Sequence, residues 1–163
     1  MSEQYRSNNG FYNYDHLSST VFCVNTELEA SLGLEINGYA DLMDPALKGK
    51  IVFSDPTSSA AWNNLSNIFA VYGNDSDEAW KVIEGLLAND MVIAGSSSAC
   101  FKSVQQGEYV VGLTYEDGAS TLLKDGADNI KMVYPEEGSS AFAFAAAIVK
   151  NAPHMDAAKA MID

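Results

Sequence analysis

Short apolar strands alternate with amphipathic helices along most of this 163-residue chain, and this alternation restricts the possible folds more than any other feature of the sequence. The runs 51–53, 91–94 and 109–114 are apolar or β-branched, and each is followed by a segment with helical periodicity. Units of this kind place parallel strands side by side and cover the sheet with the connecting helices. The sequence therefore predicts an α/β fold with a three-layer, open, mostly parallel sheet and helices on both faces.

Two helices are predicted from their apolar stripes. The side chains at helical spacing are Trp62, Leu65, Phe69 and Tyr72 in the first helix, and Trp80, Ile83 and Leu87 in the second. A capping box at Thr26-x-x-Glu29 predicts the start of a further short helix. The first 16 residues show no period and are predicted to be irregular.

The charge balance of the chain limits its partners. There are 22 acidic and 9 basic side chains, which give a net charge of −13 at pH 7. A charge of this sign repels phosphate backbones and anionic headgroups, so neither nucleic acid nor a membrane surface is expected as a partner. Residues 1–6 lack the basic and apolar pattern of a signal peptide.

The cysteines and histidines show no pattern of a metal site. Cys23 and Cys100 lie among apolar or small residues, so we expect two buried side chains, while the sequence leaves open whether they pair. His16 and His154 have no ligand spacing to either cysteine or to each other. We therefore expect no metal site and no cofactor.

Two serine-rich turns follow predicted strands, and each opens a predicted helix. Helix N-termini carry unpaired N–H groups and a partial positive charge, so the two turns together could hold a phosphate, phosphonate, sulfate or carboxylate without a basic side chain. The carboxyl ends of parallel strands are also where ligands usually bind in such sheets. The alternative is that the hydroxyls only cap their helices. The candidate ligand-binding residues in these turns are Thr57, Ser58, Ser59, Ser96, Ser97 and Ser98.

A third turn, at Tyr115 and Glu116, follows the strand 109–114. These side chains could bind a hydroxylated or cationic ligand, or a hard metal ion through oxygen; alternatively, the acidic residues only complement the helix dipole. No G-x-S-x-G elbow, Walker A loop or paired histidine is found, so no catalytic residue and no enzymatic activity are expected. An α/β enzyme acting on a phosphoester and a protein-binding domain remain as alternatives.

Several motifs in order resemble bacterial ABC-transporter solute-binding proteins, in their ferric-iron, phosphonate and sugar-phosphate branch. In that branch a W-A-D-L-x-D-P-x-x-K-G-K-I stretch leads into a D-P-x-S-S turn. Here residues 39–51 read Y-A-D-L-M-D-P-A-L-K-G-K-I and residues 55–59 read D-P-T-S-S. Further along, residues 107–117 read G-E-Y-V-V-G-L-T-Y-E-D and residues 134–138 read Y-P-E-E-G. The resemblance covers approximately residues 17–163.

The resemblance implies one lobe of a type 2 periplasmic-binding-protein fold, in which two α/β lobes close on a ligand. Residues 17–141 would be the second, C-terminal lobe, and 142–163 the hinge return and the start of first-lobe elements, truncated where the last helix is still running. The full-length protein would be extracytoplasmic, either periplasmic or a cell-surface lipoprotein. It would pass its ligand to an ABC-transporter permease.

The ligand implied by the resemblance is a small oxyanion-bearing molecule such as a phosphonate or a sugar phosphate. Iron-binding members place two adjacent tyrosines after the strand that corresponds to residues 110–114, whereas this chain has Tyr115 followed by Glu116. This difference weakens the case for iron. Both side chains are still hard oxygen ligands, so ferric iron or a ferric chelate is the alternative ligand. Exposed apolar faces near Phe142, Phe144 and the last helix are expected to favour a homodimer of the isolated lobe.

Overall fold

The computed structural model describes residues 11–162, and its elements follow the predicted alternation of strands and helices. The strands are β1 (Asn13–Asn25), β2 (Ile51–Ser54), β3 (Val92–Ala94), β4 (Val111–Tyr115), β5 (Ile130–Val133) and β6 (Ala141–Ala146). The helices are α1 (Thr26–Ser31), α2 (Ser59–Tyr72), α3 (Asp77–Ala88), α4 (Ser97–Gln105), α5 (Glu116–Lys124) and α6 (Met155–Ile162). Two short 3-10 turns, Asp41–Met43 and Pro45–Leu47, precede β2.

The described residues form two compact units, 19–140 and 11–18 with 141–162. In unit 19–140 the strand order is β3-β2-β4-β1-β5. β2 is parallel to β3 and β4, whereas β1 is antiparallel to β4 and β5. The α/β fold is confirmed, and its sheet combines parallel with antiparallel strands because the long β1 runs against its two neighbours.

Helices cover both faces of this sheet. Phe53 and Leu113 pack on one face with side chains of α2 and α3, including Ile68. Val52 packs on the other face with α4 and α5, including Cys100. Successive strand residues point to opposite faces, so each strand contributes to both cores. This confirms the three layers.

The other unit contains the start of β1, β6 and α6. β6 pairs with β1, and the rings of His16 and Phe144 stack with centroids 4.7 Å apart. Phe144 and Met161 expose much of their apolar surface, and α6 buries none of its residues. No helix among residues 11–162 has the length and apolar character that a bilayer span requires.

The prediction of an irregular segment over residues 1–16 is wrong at its end. β1 begins at Asn13, and residues 13–16 are extended. The partner that holds them, β6, lies more than a hundred residues away in sequence, so local periodicity gave no sign of it. Residues 1–10 lie outside the described part of the chain. They include residues 1–6, which the sequence analysis compares with a signal peptide.

The predicted apolar stripes of α2 and α3 match the buried faces only in part. Leu65, Phe69, Tyr72 and Ile83 are partly buried and pack against the core, whereas Trp62 is 62% exposed and Trp80 is 50% exposed. The buried face of α2 instead carries Ala61, Asn64 and Asn67. Small side chains let this helix approach the sheet closely, and the two asparagines hydrogen-bond to neighbouring groups. The face of α2 against the sheet is therefore lined by small and hydrogen-bonded side chains, and the large apolar ring of Trp62 lies outside it.

The start of α1 also differs from its predicted capping box. The cap is Asn25, whose Oδ1 accepts a hydrogen bond from Leu28 N. Glu29 is buried and instead accepts from Ile36 N at 2.7 Å and pairs with Lys131 at 2.9 Å. The Glu29 carboxylate therefore forms a long-range ion pair and does not cap the start of α1 as the capping box predicts.

Both cysteines are buried and unpaired, which confirms the prediction of two buried side chains. Burial raises the pKa of Cys23 and of Cys100 to about 12. The Cys100 thiol donates to the carbonyls of Val52 and Leu113, at 3.4 and 3.3 Å, across two neighbouring strands. Cys100 thus fixes where α4 lies over the sheet.

Candidate functional site

Three parallel strands end side by side, and a helix begins directly after each of them. β2 leads into α2, β3 into α4, and β4 into α5. Phe53 pairs with Leu113 and Ser54 pairs with Ala94, so the three strands end at one level. Neighbouring strands lie about 4.8 Å apart, so the three turns lie together at one edge. We call residues 55–59, 95–98 and 115–117 the carboxyl edge.

The first turn of the carboxyl edge is organised by Asp55. Its Oδ1 accepts hydrogen bonds from the backbone N and the hydroxyl of Thr57, at 2.8 and 2.6 Å. The hydroxyl bond, with the backbone bond second, lowers the pKa of Asp55 below its ordinary value. Ser58 is the N-cap of α2 and accepts from Ala61 N at 3.2 Å, while Ser59 is exposed at the first position of the helix.

The second turn repeats this capping chemistry at α4. Ser96 Oγ accepts from Ala99 N at 3.1 Å and lies 3.3 Å from the hydroxyl of Ser98. Ser97 is the first residue of the helix and is half-buried. A capping hydroxyl accepts with a lone pair and keeps its own O–H group to donate, so capping and ligand binding are compatible. Ser58 and Ser96 are therefore both N-caps and available donors.

The third turn connects three strands through one carboxylate. Glu116, the first residue of α5, accepts from Ser19 N at 3.1 Å and from the Tyr134 hydroxyl at 2.8 Å. Ser19 lies in β1 and Tyr134 directly follows β5. The Tyr115 ring is half-buried and meets Phe101 edge-on at 5.7 Å, and burial raises its pKa. Each oxygen of Glu116 keeps a second lone pair for a further donor.

The carboxyl edge contains no Lys, Arg or His. Any anion bound there would interact with the three helix N-termini and with hydroxyl groups instead of basic side chains. Among residues 11–162, no group of three His, Cys, Asp or Glu side chains is placed to hold a metal ion. The polar groups that this edge presents are the helix N–H groups, the hydroxyls and the carboxylates of Asp55, Glu116 and Asp117.

Four further polar residues lie at or contact the carboxyl edge, and the sequence analysis predicts none of them. Ser54 and Thr114 lie at the ends of β2 and β4, and Asn64 of α2 donates from Nδ2 to the carbonyl of Thr114 at 3.2 Å. Tyr134 arrives from β5 through its bond to Glu116. A signal was present for two of them, since Ser54 and Thr114 are polar residues that end otherwise apolar runs.

The whole chain matches one family of proteins. A family model described as bacterial extracellular solute-binding protein covers residues 1–163. An uncharacterised protein from Haemophilus influenzae is 29% identical over 145 residues, which are 87% of this chain and 41% of that protein. Neither this match nor the solved structures below support the homodimer expected from the sequence.

Three solved structures share the fold over nearly all of this chain. A protein described as a two-component system protein mediating signal transduction is 31% identical with a TM-score of 0.77, covering 99% of this chain and 52% of its own. The periplasmic binding protein AfuA from Actinobacillus pleuropneumoniae, with exogenous fructose 6-phosphate bound, is 27% identical with a TM-score of 0.78, covering 97% and 50%. Iron-bound HitA from Pseudomonas aeruginosa is 22% identical with a TM-score of 0.73, covering 99% and 52%, a similarity of fold alone. The chain therefore spans about half the length of these relatives.

Proposed function

Because the chain belongs to the bacterial extracellular solute-binding proteins, we propose that its unit 19–140 captures a small oxyanion-bearing solute for an ABC importer. The bound solute lies against the carboxyl edge. The protein holds it without changing it chemically, and an ABC-transporter permease receives it. The site acts outside the cytoplasm, in the periplasm or on the cell surface.

The observation that carries this proposal is the convergence of three helix N-termini at one edge of the sheet. α2, α4 and α5 begin directly after β2, β3 and β4, which are neighbours in the sheet. Each helix start supplies unpaired N–H groups and about half a positive charge. The hydroxyls of Ser58 and Ser96 lie at two of these starts and still have a proton to donate. Together these groups complement an oxyanion.

A phosphorylated organic molecule, either a sugar phosphate or a phosphonate, is the ligand class that fits this edge. Its phosphoryl oxygens accept from the two serine turns. Its hydroxyl or ammonium groups donate to the free lone pairs of Glu116, beside Tyr115. AfuA is 27% identical in sequence to this chain, and its structure contains bound fructose 6-phosphate. Sugar phosphates are therefore the first compounds to test.

Ferric iron is the second candidate ligand. Tyr115 and Glu116 are hard oxygen ligands and stand next to each other at the carboxyl edge. These two side chains can fill only part of the coordination shell of the iron. A chelate or another part of the protein would have to supply the other ligands. The edge therefore favours the oxyanion over the free ion.

We assign residues 17–141 to the second lobe of a two-lobed binding protein. Residues 142–163 then return through the hinge and begin elements of the first lobe. In proteins that close on a ligand, binding favours the closed state by the difference in affinity between the two states. The other lobe adds contacts that complete the site.

A thermal-shift series on the 163-residue chain tests the proposal. Fructose 6-phosphate, 2-aminoethylphosphonate, inorganic phosphate, ferric citrate and fructose are each titrated against the protein. A ligand that binds only the folded state raises the melting temperature with its concentration. We expect stabilisation by the phosphorylated compounds and none by fructose. Stabilisation by ferric citrate alone would replace the oxyanion with iron.

A matched pair of variants separates ligand binding from helix capping. Ser96 and Ser76 both cap a helix by accepting from the third following amide at 3.1 Å. Ser76 precedes α3, which follows a helix and not a strand. Both Ser96→Ala and Ser76→Ala should cost about 1 kcal/mol of stability. Only Ser96→Ala should weaken binding of fructose 6-phosphate, and equal binding by both variants would contradict the site.

An assay of phosphoester hydrolysis separates capture from catalysis. The chain is incubated with p-nitrophenyl phosphate and with fructose 6-phosphate, and released phosphate is measured. A solute-binding protein leaves both compounds intact. Turnover that is lost in Glu116→Gln would instead support an α/β enzyme acting on phosphoesters.

A further inference from the structure

Three buried side-chain oxygen or nitrogen atoms of residues 19–140 have no hydrogen-bond partner in the described part of the chain. They are Ser54 Oγ, Asn64 Oδ1 and Thr114 Oγ1, and each residue is 1% exposed. Ser54 ends β2, Thr114 is the last residue but one of β4, and Asn64 hydrogen-bonds to the carbonyl of Thr114. A buried polar atom without a partner loses its hydration and gains nothing in return, so their concentration at one edge requires an explanation.

Ser54 and Thr114 lie next to each other on one face of the sheet. Both directly follow the parallel pair Phe53 and Leu113. Two residues earlier, Val52 and Gly112 face α4, because a Cβ on Gly112 would meet Cys100 Sγ at 3.1 Å and Val52 at 3.1 Å. Residues two apart in a strand point the same way. The hydroxyls of Ser54 and Thr114 therefore also point toward α4.

The first turn of α4 lies over these two hydroxyls. Cys100 contacts the carbonyls of Val52 and Leu113, and the helix begins three residues earlier, at Ser97. Three helical residues span about 4.5 Å, and one or two strand residues span about 3–7 Å. Since α4 connects two parallel strands, it runs against them, and its start lies toward the carboxyl edge. The unpaired hydroxyls are therefore the layer directly beneath that helix start.

We propose that Ser54 and Thr114 are the innermost hydrogen-bond donors of the oxyanion site, in addition to the serine turns. An oxyanion held by the N–H groups that open α4 settles into the edge and accepts from both hydroxyls, which no other described residue engages. Asn64 is a positioning residue, since its bond to the carbonyl of Thr114 fixes the end of β4 from the opposite face. This inference rests on the proposed function.

The proposal selects ligands whose buried end only accepts hydrogen bonds. Phosphate monoesters and phosphonates in their dianionic form present three such oxygens, enough for two hydroxyls and the helix N–H groups. A carboxylate presents two oxygens in one plane and satisfies fewer donors. We therefore expect fructose 6-phosphate and inorganic phosphate to use these hydroxyls, and fructose to ignore them.

The test measures stability and affinity in the same variants. Ser54→Ala and Thr114→Val each remove a hydroxyl and nearly preserve shape. In the free protein the melting temperature should stay the same or rise, because no hydrogen bond is lost and a buried polar group is removed. Affinity for fructose 6-phosphate, measured by calorimetry, should fall about tenfold or more for each variant. Inorganic phosphate, run in parallel, should show the same loss.

The control is Ser103→Ala, one turn later in α4. The Ser103 hydroxyl is satisfied, donating to the carbonyl of Cys100 at 3.0 Å. This variant should lower the melting temperature and leave affinity unchanged. Removing a ligand donor leaves the melting temperature of the free protein unchanged or higher and lowers the affinity. Removing a structural hydroxyl lowers the melting temperature and leaves the affinity unchanged.

Three results would overturn the inference. If Ser54→Ala and Thr114→Val lower the melting temperature and leave affinity unchanged, an internal water satisfies the hydroxyls. If the variants bind like the parent while Ser96→Ala binds more weakly, the proposed function stands and the inner donors do not. If no phosphorylated compound stabilises the parent chain, the proposed function fails, and the inference fails with it.

Discussion

The hydroxyl of Tyr134, directly after β5, donates a 2.8 Å hydrogen bond to Oε1 of Glu116, the first residue of α5. The other carboxylate oxygen accepts from Ser19 N in β1. One side chain thus joins the ends of β4 and β5 to the middle of β1, beside the candidate ligand site. The orientation of Glu116 toward a solute therefore depends on residues far from it in sequence.

The pKa of Tyr134 reports this contact directly. The hydrogen bond to Glu116, followed by burial and by the charge of Glu116, raises the pKa of Tyr134 above its ordinary value. In Glu116→Gln the charge is lost, so the pKa of Tyr134 should fall toward 10. NMR titration of tyrosine labelled at the ring carbon measures it. An unchanged pKa would mean that the two residues do not meet in solution.

Thr57 should control the ionisation of Asp55. The hydroxyl bond from Thr57 is the largest cause that lowers the pKa of Asp55. Thr57→Val removes that bond and keeps the backbone bond, so the pKa should rise part of the way to its ordinary value. A carboxylate with a lowered folded pKa stabilises the fold above its unfolded pKa, and this contribution is lost as pH falls through the folded pKa. Carbon-detected NMR titration of Asp55 between pH 2 and 6, roughly the range of carboxyl groups, checks the shift.

Matched titration of Asp15 controls for changes that are not local to the turn. The hydrogen bond with His16 is the largest cause that lowers the pKa of Asp15, and it does not involve Thr57. The lowered pKa of Asp15 should therefore be the same in the parent and in Thr57→Val. A common shift of both carboxyls would point to a general change in the fold.

The ion pair between Lys131 and buried Glu29 should contribute measurable stability. Lys131→Met leaves the Glu29 carboxylate unpaired in the interior, which we expect to cost about 1–3 kcal/mol because the lysine itself is partly exposed. Urea unfolding followed by circular dichroism measures the loss. Adding Glu29→Gln should recover part of it, since no buried charge then remains.

The pair of Lys48 and Asp90 is the surface control for this experiment. These side chains meet at 3.4 Å and are both largely exposed. Lys48→Met should cost about 0–1 kcal/mol because solvent screens the pair. Equal losses in the two lysine variants would contradict a special role for burial.

Gly118 should be required for the packing behind Tyr115. A Cβ at this position in α5 would overlap the ring of Phe101, which in turn meets Tyr115 edge-on. We expect Gly118→Ala to lose about 1–3 kcal/mol through overpacking, despite the better helix propensity of alanine. Urea unfolding gives the loss, and Ser120→Ala in the same helix should change stability far less. A stabilised Gly118→Ala would show that Phe101 has room to move.

Much of the candidate site could be predicted from the sequence because its turns are local. Asp55 to Ser58 and Ser96 to Ala99 are turns whose hydrogen bonds span two or three residues, so strand endings and serine positions were enough to find them. The predicted apolar stripe of α2 includes Trp62, which is largely exposed, and this part of the prediction is wrong for the opposite reason. Which face of α2 is buried depends on how closely the helix meets the sheet, and residue size in one segment does not reveal that distance.

The alternation of strands and helices, and the polar turns that begin α2, α4 and α5, can be predicted from the sequence alone. These features rest on periodicity and capping, which act over a few residues. Tertiary contacts alone show that β1 runs against β4 and β5, that Tyr134 reaches Glu116, and that the hydroxyls of Ser54 and Thr114 have no partner among residues 11–162. Strand order and register are set by contacts between distant segments, and these are absent from any local pattern.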